Sequence, residues 1–171
     1  MTVPRTTRPT PLTDRVLRTR WIVRAPIGLY RAGLGFLLGT RMLLVEHKGR
    51  TSGVWRQVVL EKVADGVDDD ARPVIHVAAG LGPRSQWYRN LLADPRALVS
   101  TGFERRRRAL AAALSPADGA AVLASYERDH PRAWARLADV LRAHAEPLAD
   151  EGQDWRERVP VVRLTLLPPT T

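Results

Sequence analysis

Between residues 46 and 53 the chain reads Glu46-His47-Lys48-Gly49-Arg50-Thr51-Ser52-Gly53. Strand-like runs flank this stretch, at residues 41–45 before it and 56–63 after it. Its glycines free the backbone, Lys48 and Arg50 carry positive charge, and the Thr and Ser that follow supply hydroxyl groups. Such a combination can hold a phosphate, although it matches none of the known nucleotide-loop patterns. A polar hairpin turn is the alternative interpretation.

Length and composition bound the class of protein. A chain of 171 residues suggests one domain that can bury a core. Cysteine is absent, which removes disulfides and thiolate metal sites and fits a reducing, cytoplasmic compartment. The four histidines are scattered without ligand spacing, so we predict no metal site. The sequence opens with neither a signal-peptide pattern nor an apolar run long enough to span a bilayer.

Positive charge is concentrated at the N-terminus. Residues 1–50 contain ten Lys and Arg against two Asp and Glu, so they hold +8 of the total charge of +9. We divide the chain into a basic tail and helix at residues 1–39 and a cofactor-binding domain at residues 40–171. Arginines interleaved with Trp21 and Tyr30 suit peripheral contact with an anionic membrane, at the inner face of the cell membrane. Plain packing of this helix on the domain, with its arginines in solvent, is the favoured interpretation; nucleic-acid binding rests on charge alone and is disfavoured.

The remaining sequence predicts an α+β domain with about six, mostly antiparallel strands. Beyond the two strands beside the opening stretch, strands are predicted at residues 74–79, 96–101, 105–114 and 159–166. Helices are predicted at residues 86–93, at residues 116–129 and from residue 131 to 141, with Ser85 and Ser115 as N-caps of the first two. Residues 65–73 form an acidic loop. The run Arg105–Arg108 is predicted to point two arginines to each face of its strand.

The sequence lacks the residue patterns of several common catalytic and nucleotide-binding sites. The sequence has neither a Gly-x-Ser-x-Gly elbow nor a Gly-x-x-x-x-Gly-Lys-[Ser/Thr] phosphate loop. Gly33-Leu34-Gly35 follows no predicted strand and has no glycine three residues on, so it is not a Rossmann fingerprint. No pair of carboxylates stands out for acid–base hydrolysis. A protein of this kind can still be an enzyme when a cofactor carries the chemistry.

Two motifs together resemble the deazaflavin-dependent nitroreductase family of split β-barrel oxidoreductases. Residues 43–53 followed by Arg56 are similar to that family's opening strand and phosphate loop. The sequence Trp87-Tyr88-Arg89-Asn90-Leu91-Leu92-Ala93-Asp94-Pro95 is similar to its Trp-Tyr-x-Asn-Leu-x-Ala-x-Pro helix. The resemblance covers roughly residues 40 to 167. It implies a split β-barrel with flanking helices, to which the basic N-terminal helix predicted above is an extension, and it implies coenzyme F420 as the cofactor.

The resemblance also implies a set of site residues. The phosphate and polar tail of the coenzyme would contact Lys48, Gly49, Arg50, Thr51, Ser52, Gly53 and Arg56. The deazaflavin ring and the closing helix would involve Val58, Val59, Ala78, Ala79, Gly80, Trp87 and Asn90, with Asn90 bonding to the loop. Tyr126 is the candidate for the family's substrate-side tyrosine, and a tyrosine that packs on the barrel is the alternative. The family often has Lys or Arg at position 51; here Lys48 can compensate for Thr51. Trp55 can seal the pocket, stack on a substrate or belong to the core.

The implied activity is hydride transfer from the reduced deazaflavin to a small organic acceptor, which is a quinone, an enone or a nitro compound. The alternative is a split-barrel binding protein that uses FMN, haem or a lipid-like ligand without F420 catalysis. Split barrels often dimerise, so a homodimer is one expectation, and an interface covered by the N-terminal helix is the other.

Overall fold

The computed structural model describes residues 41–169. These residues form six strands and three α-helices. The strands are β1 (Met42–Lys48), β2 (Trp55–Val67), β3 (Pro73–Ala78), β4 (Arg96–Thr101), β5 (Glu104–Ala113) and β6 (Val161–Leu166). The helices are α1 (Gln86–Ala93), α2 (Pro116–Asp129) and α3 (Pro131–Ala145). The predicted N-terminal tail and helix, with their proposed membrane contact, lie outside the described residues.

The six strands close into a barrel in the order β1-β2-β3-β6-β5-β4. Every neighbouring pair is antiparallel, and β4 pairs with β1 to complete the closure. Since side chains alternate across a strand, every second residue points into the barrel. Val45, Val77, Val99 and Leu164 are at most 1% exposed in this interior. The α+β split-barrel prediction is confirmed.

Two cores hold the domain together. Helix α1 closes the barrel core with Trp87 and Leu91. A second core lies between α2, α3 and the outside of the barrel, where Leu123 packs with Val63 and Val161. Gly119 marks the closest approach of α2 to β6, because a Cβ atom there would lie 3.3 Å from a methyl group of Val161. The helices therefore cover one side of the barrel, and α1 covers an end.

Two local predictions are wrong, and both errors have a physical reason. The acidic loop predicted at residues 65–73 is shorter, because β2 continues through Gly66 to pair Val67 with Pro73. Ser85 precedes α1, but its side chain makes no capping bond, and its hydroxyl is buried without a hydrogen-bond partner in the described part of the chain. The start of α1 is instead fixed by the preceding turn, in which the Ser85 N–H donates to the Gly82 carbonyl. Ser115 does cap α2, accepting from the Asp118 N–H at 3.1 Å.

The arginine run of β5 also departs from its predicted alternation. Arg106 has a φ of 51°, and the pairing of β4 with β5 shifts register between Val99 and Thr101. This irregularity leaves Arg107 half-buried, with its guanidinium donating to the Leu167 carbonyl, while the other three arginines are exposed. A bulge that breaks the two-residue period explains the error.

Candidate functional site

The loop that joins β1 to β2 folds back on Gly49. The Gly49 N–H donates to the Val54 carbonyl at 2.9 Å, and the Gly53 N–H donates to the Gly49 carbonyl at 2.7 Å. A Cβ atom on Gly49 would lie 2.7 Å from Ser52 Oγ and 2.9 Å from Arg56 Nε. Gly53 has a φ of +65°, which favours glycine. A side chain at position 49 would therefore displace Ser52 and Arg56, and one at position 53 would strain the backbone.

A cavity of about 230 Å³ lies between this loop and the first turns of α1. Its lining residues are Gly49, Arg50, Thr51, Ser52, Arg56, Gln86 and Asn90. Arg50 and Arg56 supply two cations, and none of the described lining residues is acidic. Hydroxyl and guanidinium donors without a competing carboxylate are the donor set that an oxyanion requires. The cavity thus fits the phosphate of a coenzyme. We call it the phosphate cavity.

Asn90 ties the loop to α1. Its Oδ1 atom accepts from the Arg50 backbone N–H at 3.1 Å and from Arg50 Nη1 at 3.0 Å. Arg50 Nη1 also donates to Gln86 Oε1 at 3.0 Å. On its other side, Asn90 Nδ2 lies 3.3 Å from Nδ1 of His47. Both Asn90 and His47 are 3% exposed, so the contact between these two residues is closed to solvent.

The neighbours of His47 define its protonation. Burial lowers its pKa below the usual 6.5 and outweighs the contact with the Lys48 carbonyl, and the positive charge of Arg56 acts in the same direction as burial. His47 is therefore neutral at pH 7. Since two donors of Arg50 occupy Asn90 Oδ1, the amide turns its Nδ2 toward His47. In the tautomer with its proton on Nε2, Nδ1 of His47 accepts from this amide; the Lys48 carbonyl lies 3.5 Å from the same Nδ1 atom.

Val58 and Val59 of β2, which were expected to line the deazaflavin ring, face two different surfaces. Val58 packs with Leu60 against the barrel core. Val59 is the next residue along the strand, so it faces away from that core and the pair cannot line one surface. Lys48 Nζ lies 5.8 Å from the centre of the Trp55 ring. Trp55 is 45% exposed, which excludes it from the core and leaves it at the edge of the loop.

The remaining predicted ring and helix residues lie in packed regions. Ala79 and Trp87 belong to the barrel core, and Ala78 packs against the second core. Gly80 approaches α3, where a Cβ atom would lie 3.5 Å from Val140. None of these four residues is among the described residues that line the phosphate cavity. Their role in coenzyme binding stays a prediction.

Tyr126 borders a second cavity of about 250 Å³, which we call the Tyr126 cavity. Its hydroxyl donates to Glu61 Oε1 at 2.8 Å, and Arg41 contacts both the hydroxyl and the carboxylate. Burial, together with Glu61, raises the pKa of Tyr126 to about 12. The phenol therefore keeps its proton at neutral pH. The other lining residues are Arg41, Lys62, Val63, Ala64, Asp65 and His130.

The two cavities lie near opposite ends of the β1–β2 hairpin. Lys48 pairs with Trp55 beside the phosphate cavity, and Met42 pairs with Glu61 beside Tyr126. At about 3.3 Å per residue, the length of β1 separates these pairs by about 20 Å. The structure thus brings the loop residues, Arg56 and Asn90 together, and it places Tyr126 apart from them.

Sequence reasoning missed two residues of the site. Gln86 is four residues before Asn90, so the two share a face of α1, and this spacing is a signal that could have found it. His47 is inward-facing by the alternation of β1, because its neighbours Val45 and Leu43 lie in the barrel core. Its contact with Asn90 spans 43 residues and depends on the docking of α1.

Acid conditions should destabilise the fold through two histidines. Burial lowers the pKa of His47 and of His76 below 6.5, and the Arg163 charge lowers that of His76 further. Just below this pH the unfolded chain binds protons that the folded protein does not, so the free energy of unfolding falls as the pH falls. We expect Tm from differential scanning fluorimetry to drop by several degrees from pH about 8 to about 5. The double variant H47N/H76Q should show a flatter profile; equal slopes would contradict this assignment.

Within residues 41–169, no helix is both long and apolar enough to cross a bilayer.

Comparisons with known proteins identify the family. The family model described as F420H(2)-dependent quinone reductase matches residues 21–149. A Mycobacterium tuberculosis (strain ATCC 25618 / H37Rv) protein, named "Putative F420H(2)-dependent quinone reductase Rv3178", is 35% identical over 137 residues, which cover 78% of this chain and 97% of the relative.

Two solved structures show weaker similarity. An F420-H2 dependent reductase, FDR-A, is 23% identical with a TM-score of 0.39, covering 72% of this chain and 93% of its own. A Listeria innocua protein described as a "Putative Pyridoxamine 5'-phosphate oxidase" is 10% identical with a TM-score of 0.48, covering 81% of this chain and 93% of its own. The assignment rests on the sequence matches. The chain belongs to the F420H(2)-dependent quinone reductase family, and it is an oxidoreductase whose cofactor is coenzyme F420.

Proposed function

We propose that the protein reduces a quinone with coenzyme F420 and that the phosphate cavity holds the phosphate of the coenzyme. The observation that carries this proposal is the pairing of Arg50 and Arg56 across a cavity whose described lining contains no acid. The family description supports the choice of a quinone as the acceptor. Enones and nitro compounds are the other acceptors to be tested.

Arg50 is positioned to bind an anion while remaining fixed in place. Its Nη1 atom donates to Gln86 and Asn90, whereas Nη2 and Nε donate to no other residue within residues 41–169. Arg56 is exposed and makes one long contact of 3.4 Å, to Ser52 Oγ. Both guanidinium groups therefore have donors to offer a phosphate, and the contacts to α1 hold Arg50 in the required orientation.

The reduced coenzyme supplies the hydride when it is bound. The protein then has to orient the coenzyme and acceptor and to exclude water. We assign the acceptor end to the Tyr126 cavity, where Tyr126, Arg41 and His130 present polar groups suited to a carbonyl oxygen. Because the pKa of Tyr126 is raised to about 12, its hydroxyl serves as a hydrogen-bond donor and not as a base. To reach an acceptor, that hydroxyl must leave Glu61.

The direct test follows oxidation of reduced F420 by purified protein in the presence of a soluble naphthoquinone, an enone or a nitroaromatic compound. We expect turnover that requires reduced F420 and is fastest with the quinone. Turnover with reduced FMN alone, or a protein that purifies with bound flavin or haem, would contradict the proposal.

The variant Tyr126→Phe tests the acceptor end separately. Loss of one hydrogen bond to the acceptor should lower kcat with the quinone about 10-fold and leave F420 affinity unchanged. Tyr88→Phe is the matched control, because Tyr88 lies on α1 beside Trp87 and away from both cavities. An unchanged kcat in Tyr126→Phe would show that Tyr126 only packs on the barrel.

A further inference from the structure

We propose that His47 is a positioning residue for the phosphate cavity: its neutral Nδ1 atom fixes the Asn90 amide, and the Asn90 carbonyl in turn fixes Arg50. The part of this proposal that concerns coenzyme binding rests on the proposed function. The part that concerns the His47–Asn90 contact does not.

An asparagine amide can adopt two orientations, which exchange its oxygen and nitrogen. At Asn90 the observed orientation presents Oδ1 to two donors of Arg50. The opposite orientation would place the NH₂ group against those donors, leaving the Arg50 backbone N–H without this acceptor and Nη1 with Gln86 alone. The one described acceptor for Asn90 Nδ2 is His47 Nδ1, at 3.3 Å. In the tautomer that carries its proton on Nε2, His47 can only accept at Nδ1, so this tautomer selects the orientation that Arg50 needs.

Burial makes this selection strict. Asn90 and His47 are each 3% exposed, so solvent cannot easily replace a lost partner. A buried amide donor without an acceptor is costly, whereas an exposed one would simply bond to water. His47 follows the inward-facing Val45 in the β1 pattern and is the last inward residue before the loop. An apolar side chain would satisfy packing at this position, but it would leave Asn90 Nδ2 unpaired.

The consequence falls on Arg50, which His47 does not touch. Without a fixed Asn90, Arg50 loses the acceptor for its backbone N–H and one of the two acceptors for Nη1; Gln86 is the other. The guanidinium is then no longer held in its binding orientation before the coenzyme arrives. Loss of preorganisation weakens binding without altering the reacting groups. Removing the His47 acceptor should therefore raise KM for the coenzyme while kcat stays unchanged.

Two substitutions separate the acceptor from the bulk of the ring. In His47→Asn, the side-chain oxygen occupies about the place of Nδ1 and can accept from Asn90. In His47→Leu, the volume is kept in part and the acceptor is lost. We expect His47→Leu to weaken F420 binding about 10-fold, and His47→Asn to remain within about twofold of the natural protein. His76→Leu is the control, since it changes a half-buried histidine of β3 that pairs with Arg163 of β6 and does not line the phosphate cavity.

A second measurement needs no coenzyme. Long-range ¹H–¹⁵N correlation spectra of the apoprotein at pH about 7.5 should show His47 with an unprotonated Nδ1 and a protonated Nε2. A protonated Nδ1, or equal affinities in His47→Leu and His47→Asn, would overturn the proposal. If the natural protein binds no F420 while the spectra show an accepting Nδ1, the proposed function fails and the His47–Asn90 contact stands.

Discussion

Replacing Arg50 with Ala should raise the Kd for coenzyme F420 about 10- to 100-fold, because it removes charge-assisted hydrogen bonds to the phosphate. Arg50 is the lining cation whose guanidinium is held by α1, through Gln86 Oε1 and Asn90 Oδ1. The measurement is a fluorescence titration of the purified variant with the coenzyme. Added salt should reduce the difference in Kd between Arg50→Ala and the natural protein, because salt screens the Coulombic part of the interaction with the phosphate.

Arg89→Ala is the matched control for this prediction. Arg89 lies on α1 next to Asn90, is exposed, and is not among the described residues that line the phosphate cavity. Arg89→Ala also removes one positive charge, from the residue beside Asn90 but outside the cavity lining, so it should change Kd by less than about twofold. Equal losses in Arg50→Ala and Arg89→Ala would indicate general attraction to a basic surface instead of a defined phosphate contact.

Leu164→Ala should lower the free energy of unfolding by about 2–5 kcal/mol, the largest effect on stability that we expect from a single core substitution. Leu164 is 0% exposed in the barrel interior. It pairs with Ile75 of β3 on one side and with Ala111 of β5 on the other. Truncation would therefore leave a cavity where strands of distant sequence meet. Urea unfolding followed by far-UV circular dichroism measures the loss.

Leu110→Ala provides the comparison for Leu164→Ala. Leu110 lies on the neighbouring strand β5 and is 43% exposed, so the same truncation removes little buried surface. It should cost less than about 1 kcal/mol. If the two variants lose similar stability, the barrel interior does not contain the core as described.

Local sequence patterns predicted most of the elements. The Ser115-Pro116 pair marked the start of α2, since a serine that caps and a proline in the first turn need only neighbouring residues. The extension of β2 through Gly66 was not predictable in this way. Its pairing with β3 outweighs the turn preference of Asp65 and Gly66, and pairing depends on the whole barrel. The missing cap at Ser85 has a similar origin in the turn that precedes α1.

In the candidate site, too, local features were predictable from the sequence, and contacts that depend on the whole barrel were not. The loop glycines and Arg50 were predictable, because the backbone freedom of the glycines and the charge of the arginine are properties of one short stretch of sequence. The separation of Tyr126 from the phosphate cavity was not, because it depends on the register of β1 against β2. Neither was the placement of Val58 inside the barrel with Val59 on the opposite face, which requires knowing which face of β2 is buried.

The central claim is that the phosphate cavity holds the phosphate end of coenzyme F420. It is tested most directly by comparing F420 with the tail-less deazaflavin alcohol, which has the same ring system and no phosphate, in one fluorescence titration series. The natural protein should bind F420 at least about 10-fold more tightly than the tail-less compound, and Arg50→Ala should lose most of that preference. Equal affinities of the natural protein for the two compounds, or a preference that survives in Arg50→Ala, would contradict the claim.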